Sequence, residues 1–206
     1  MGKHIQSTDY KILSSIYGKG RGWAFTPKHF QGLGSRNAID SALKRYKKLG
    51  TIRQLAFGLY DYPQKHPTLG LLNPTTDAIA KALAGRDAIR LQPSGAYAAN
   101  LLGLSDQIPM KVVFLTDGPT RSVKLGKQTI TLKRTTPKNM ATAGKSSGLV
   151  IQALRHLGQR HMDDSLIVHL RTRLTDDDKK QLLKDLTYAS AWVADVMRQV
   201  ANPEKS

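Results

Sequence analysis

The sequence contains no cysteine. Neither a disulfide nor a cysteine-based zinc site can form, and this usage fits a reducing compartment. Acidic side chains are scarce: 15 Asp and Glu face 32 Lys and Arg, leaving a formal net charge of +17. No apolar run approaches the roughly 20 residues that a membrane-spanning helix needs. The first twenty residues are polar and lack an apolar core, so no secretory signal is expected, and a cytoplasmic location is. A basic amphipathic helix with exposed aromatics, the mark of an anionic-membrane binder, is also missing.

What remains is a chain of 206 residues, 40% of them hydrophobic. That is enough for a packed core and for one large domain or two small ones. The charge is unevenly spread. Residues 1–66 carry 12 basic and 3 acidic side chains, residues 67–160 carry 13 and 4, and residues 161–206 carry 7 and 8. A field of this kind favours a polyanion, most simply nucleic acid.

The most informative stretch is 26–62. Thr26 can cap a helix with Pro27 at its first position. Gly32 and Gly34 turn the chain, and Ser35 can cap a second helix over 35–49, ended by Gly50. In that helix Ala38, Ile39, Ala42, Leu43, Tyr46 and Leu49 recur at three- and four-residue steps and predict a buried stripe. The opposite face carries Ser35, Arg36, Asn37, Asp40, Ser41, Lys44, Lys47 and Lys48. Residues 52–55 and 59–62, with Gly58 near the bend, predict a hairpin. Helix, tight turn, basic helix and hairpin in this order predict a winged helix-turn-helix that reads DNA. The bland alternative is a solvated basic face. Against it stand Asp40 as the face's one acid, Arg36 and Asn37 in the first turn as side chains suited to base edges, and the hairpin that follows at once.

Ser7 or Thr8 caps a first helix through Tyr17, and residues 18–22 form a flexible basic loop. Residues 23–25 form a short strand against the wing, with Trp23 and Phe25 in the core. Pro63 and Pro67 bracket a polar connector and the domain boundary, giving domains 1–66 and 67–206. The second domain is a mixed α/β segment. It has helices over 75–83 and 94–103, strands over 88–92, 111–116, 122–125 and 128–133, and helical sequence from Asn139 onward, with 203–206 fraying. The expected class is α+β. The acidic run Asp176, Asp177 and Asp178 behind Thr175 fits a helix N-terminus.

Gly22-Trp23-Ala24-Phe25-Thr26-Pro27-Lys28, Leu33-Gly34-Ser35-Arg36, Gly50-Thr51-Ile52-Arg53, Gly58-Leu59-Tyr60-Asp61-Tyr62-Pro63, Gln92-Pro93-Ser94-Gly95-Ala96-Tyr97-Ala98-Ala99-Asn100 and Leu115-Thr116-Asp117-Gly118-Pro119 form an ordered set. With them the chain resembles the AbiEi-like antitoxin family of bacterial transcriptional regulators. The resemblance spans most of residues 18–157. It implies a winged-helix N-terminal domain joined to an antitoxin domain, and a repressor of its own operon. It also implies a nucleotidyltransferase-like toxin, neutralised without a stable complex. Members often carry a basic residue near the wing bend, where this chain has Phe57.

Enzyme signals are weak. Ala143-Gly144-Lys145-Ser146 imitates the end of a phosphate-binding loop, but Asn139 stands where the motif needs glycine. Asp117 ends a strand as a nuclease ligand would, but the next strand supplies only a lysine. His156 and His161 are poorly spaced for one helical face, and no serine sits in a nucleophile elbow. No catalytic residue, metal ligand or cofactor is therefore expected.

The leading expectation is a repressor and antitoxin bound to operator duplex. Arg36 and Asn37 would reach bases, with Ser35, Ser41 and Lys44 alongside, and Lys28, Arg45, Lys47, Lys48 and Arg53 would meet phosphates. Lys124, Lys127, Lys133 and Arg134 would extend the footprint or meet an acidic partner. The alternatives are a nucleic-acid-processing enzyme delivered by its winged helix, and a mobile-element regulator without a toxin.

Overall fold

Secondary structure follows the chain's capping residues closely. The structure, a computed structural model, describes residues 7–85 and 89–202. The class is α+β, and the chain divides into two compact units, Met1–Ala88 and Ile89–Ser206.

The first unit begins with α1 (Thr8–Lys19), whose N-cap Ser7 accepts from the Tyr10 amide. This helix runs into the expected basic loop and stops at Gly20, where φ is +83°. Strand β1 (Ala24–Phe25) follows. The helix expected after Thr26 is a single 3-10 turn, Pro27–Phe30. Next come α2 (Arg36–Lys48), β2 (Arg53–Ala56) and β3 (Leu59–Asp61). The three strands form an antiparallel sheet in the order β1-β3-β2. Ile12, Ile16, Phe25, Phe30, Ile39, Ala42, Leu43, Tyr46 and Ile52 make its core. Trp23 lies at the edge of that core, half-buried.

Two expectations fail in this unit. Leu49 is 69% exposed rather than inward, because it caps the last turn of α2 and the chain reverses at Gly50. The polar connector is itself structured: β4 (Gln64–His66) pairs with β5 (Gly70–Leu72) in a second hairpin. Helix α3 (Thr76–Ala84), capped by Thr75, then packs against β1. The first compact unit accordingly runs on past residue 66, because β4, β5 and α3 belong with it.

The second unit opens with β6 (Leu91–Ser94) and α4 (Gly95–Leu101). Of the strand expected over 88–92, Ala88 lies outside the described residues, as does the terminal segment 203–206. Strands β7 (Lys111–Thr116), β8 (Arg121–Leu125) and β9 (Gln128–Arg134) complete a four-stranded sheet ordered β6-β7-β9-β8. Strand β9 enters between β7 and β8, parallel to the first and antiparallel to the second. A four-residue α5 (Pro137–Met140) precedes α6 (Ser146–Leu157), α7 (Asp164–Arg173), α8 (Asp176–Lys184) and α9 (Ala191–Ala201). Thr175 and Asp178 form a capping box at α8, the role expected for that acidic run. Helices α6 to α9 share a core with α4, centred on Leu154, Leu170, Leu182, Val193 and Met197. Among the described residues no helix is long and apolar enough to cross a membrane.

Candidate nucleic-acid interface

Four residues of α2 bury its inner side: Ile39, Ala42, Leu43 and Tyr46. At 100° per residue, the side directly opposite is occupied by Asn37, Ser41, Lys44 and Lys48, all exposed. They form one stripe along the length of the helix. Ser35 caps the helix, accepting from the Ala38 amide at 3.3 Å. Arg36 lies on one flank, 92% exposed, with its guanidinium 3.7 Å from the Asp40 carboxylate. That contact is loose and open to solvent, so it leaves Arg36 free to exchange partners. Lys28, from the 3-10 turn, is exposed as well.

Three of the expected phosphate contacts are engaged within the unit. Arg45 forms an ion pair with Asp9 of α1, and the Tyr46 hydroxyl donates to the Asp9 carbonyl at 2.9 Å. Together they pin α2 to the start of α1. Burial, and then the Asp9 carboxylate, push the Tyr46 phenol above its ordinary range. Lys47 donates to Gln54 on the hairpin at 2.8 Å. Arg53 is turned inward. Its guanidinium donates to both carboxylate oxygens of Asp61, at 3.1 and 2.6 Å, and to the Leu72 carbonyl at 2.8 Å. Asp61 is fully buried. Its hydrogen bonds strengthen Arg53's hold on its proton. The bidentate pair ties β2 to β3 and reaches β5, so Arg53 positions the hairpin and is not displayed.

The hairpin's tip is Phe57, fully exposed, beside Gly58 at φ +69°. Arg21 packs over the Tyr62 ring at 4.8 Å and donates to the Pro63 carbonyl. Sequence reasoning missed both that contact and the Asp9–Arg45 pair, since each joins residues far apart in the chain.

The second basic group is dispersed. Lys124, Lys127, Lys133 and Arg134 are all exposed. Register places Lys124 opposite Thr129, so Lys124 shares a sheet face with Lys133 while Arg134 falls on the other. With four residue steps from Thr129 to Lys133 along β9, the two lysines stand roughly 13 Å apart in the strand direction. Lys111, across Thr129 from Lys124, joins that face and was not anticipated.

Two of the residues weighed for catalysis, Lys145 and Asp117, have structural partners. Lys145 lies 3.2 Å from Asp185, and Ser147 and Gln181 donate to the same carboxylate. Burial alone would raise the Asp185 carboxyl, but these hydrogen bonds outweigh it and hold it below its ordinary value. Asp117 accepts from the Arg90 side chain and amide, which likewise lowers it. Among the described residues no group of three or more metal-ligating side chains stands together.

Residues 11–182 match the protein family described as "Family of unknown function (DUF6088)". This chain belongs to that family. No curated protein matches it. The DUF6088 match runs from α1 to α8 and so includes the whole basic face of α2.

Proposed function

We propose that the first unit is a winged helix-turn-helix and that the protein is a sequence-specific DNA-binding repressor. One observation carries the reading. The outermost stripe of α2 is Asn37, Ser41, Lys44 and Lys48, flanked by Arg36, and a hairpin with an exposed tip follows it. In this reading α2 lies in the major groove, Arg36 and Asn37 contact base edges, and Lys28, Lys44 and Lys48 contact phosphates. Arg45 and Arg53 act by fixing the attitude of helix and wing. Operator DNA upstream of its own gene is the expected ligand.

The resemblance to AbiEi-like antitoxins supports a narrower form of the proposal. The protein then acts in the cytoplasm, without catalysis of its own, as the antitoxin to a nucleotidyltransferase-like toxin. Binding of the full chain to its upstream duplex, compared with an Asn37→Ala, Lys44→Ala, Lys48→Ala triple variant, tests the DNA reading. The triple variant is expected to lose specific binding, and equal binding by both proteins contradicts the assignment of α2. Co-expression with an adjacent nucleotidyltransferase-like gene tests the antitoxin reading. Rescue of growth is the expected result, and persistent toxicity contradicts it.

A further inference from the structure

The first unit holds a cleft of about 830 Å³, well within the range of small-molecule sites. Lys11 and Lys19 from α1 and Lys81 from α3 line it, together with Trp23, His29 and Leu33. Among the described residues that line it, none is acidic. Among the described residues none of the three lysine side chains forms an ion pair or hydrogen bond. The acid on α1, Asp9, is turned to Arg45. Lys19 and Lys81 stand in the last turns of their helices, where the helix dipole offsets part of their charge. Lys11, the fourth residue of α1, has no such offset. Three ammonium groups facing one concave space repel each other, and an anion placed among them removes that repulsion.

The cleft is also not purely polar. Trp23 contributes an indole, held by stacking on Phe25 at 4.7 Å and by edge contact with His29 at 5.5 Å. Leu33 adds aliphatic surface two residues before the Ser35 cap of α2. Cationic groups and a fixed aromatic ring lining one cleft suit a ligand with a phosphate end and a flat end.

We infer that this cleft binds a phosphorylated small molecule of the nucleoside phosphate class, with Lys11, Lys19 and Lys81 on the phosphate oxygens and Trp23 against the base. The site is separate from the outer stripe of α2, and it stands whether or not that stripe reads DNA.

The test uses the full chain carrying Trp192→Phe, so that Trp23 is the sole indole. Its fluorescence is titrated with ADP and with inorganic pyrophosphate, each in the wild-type cleft and in a Lys19→Gln, Lys81→Gln double variant. Both lysines are exposed, so circular dichroism should show an unchanged fold. Saturable quenching by ADP is expected, weakened at least about ten-fold in the double variant and at least about ten-fold weaker for pyrophosphate. Absence of a saturable signal from ADP overturns the site, and so does equal affinity in the double variant. Pyrophosphate binding as tightly as ADP overturns the assignment of the nucleoside.

Discussion

Arg36 projects from the first turn of α2 with only a long contact to Asp40. Arg36→Ala should cost about 1–3 kcal/mol of operator binding and relax discrimination at one position. A uniform loss across sequences, seen in a competition assay with mutated operators, would make it a phosphate clamp instead. Lys48→Ala should weaken binding evenly and lower the salt slope by about one, and an unchanged slope removes it from the interface. Asp61→Asn breaks the bidentate pair with Arg53. Because Arg53 is 27% exposed, the loss should stay near 1–3 kcal/mol in a urea titration, and an unmoved midpoint contradicts the bracing role. At this scale the sequence was legible for side chains that end in solvent, because helical periodicity alone places Asn37, Ser41, Lys44 and Lys48. It was not legible for Arg45 and Arg53, whose partners Asp9 and Asp61 are supplied by other elements.

Elements were legible where a cap or a glycine marks them. Ser7, Ser35, Thr75, Asp163 and Thr175 each cap a helix through their side chains, because short polar side chains satisfy free amides there. The hairpin β4–β5 was hidden because Gln64, Lys65 and His66 are all exposed and show no alternation. Leu49 misled because hydrophobic spacing does not say where a helix ends. Gly148 in α6 gives a prediction of element packing. A Cβ there would overlap the Thr142 carbonyl oxygen and the Gln92 side chain. Gly148→Ala should therefore destabilise the second unit by about 1–3 kcal/mol, and unaltered thermal unfolding would contradict the packing. The Asp185 network joining α6 to α8 adds a pH dependence. The folded-state carboxyl lies below its ordinary value, so its stabilisation is present above the unfolded value near 3.9 and is lost as pH falls through the lower folded value. Stability should drop on acidification below about pH 4, and Asp185→Asn should flatten that drop.

Over the whole chain both compact units are basic: 14 basic and 5 acidic side chains in residues 1–88, and 18 and 10 in residues 89–206. Charge alone therefore does not single out a unit for the proposed DNA contact, whereas the continuous stripe on α2 has no counterpart in the dispersed Lys124, Lys127, Lys133 and Arg134. Division of the chain was read too early because two prolines resemble a linker, while the packing of α3 on β1 is a long-range contact that composition does not reveal. A fragment of residues 1–88 should keep the sequence preference of the full chain in a binding assay, and its loss would assign recognition to the second unit. Titrating the full chain with the duplex upstream of its own gene and with random duplex, at two salt concentrations, tests the proposed DNA recognition. Specific binding at least ~1000-fold tighter is the predicted result. Equal and steeply salt-dependent affinity for both duplexes would contradict it and leave the basic charge as a general handle for nucleic acid.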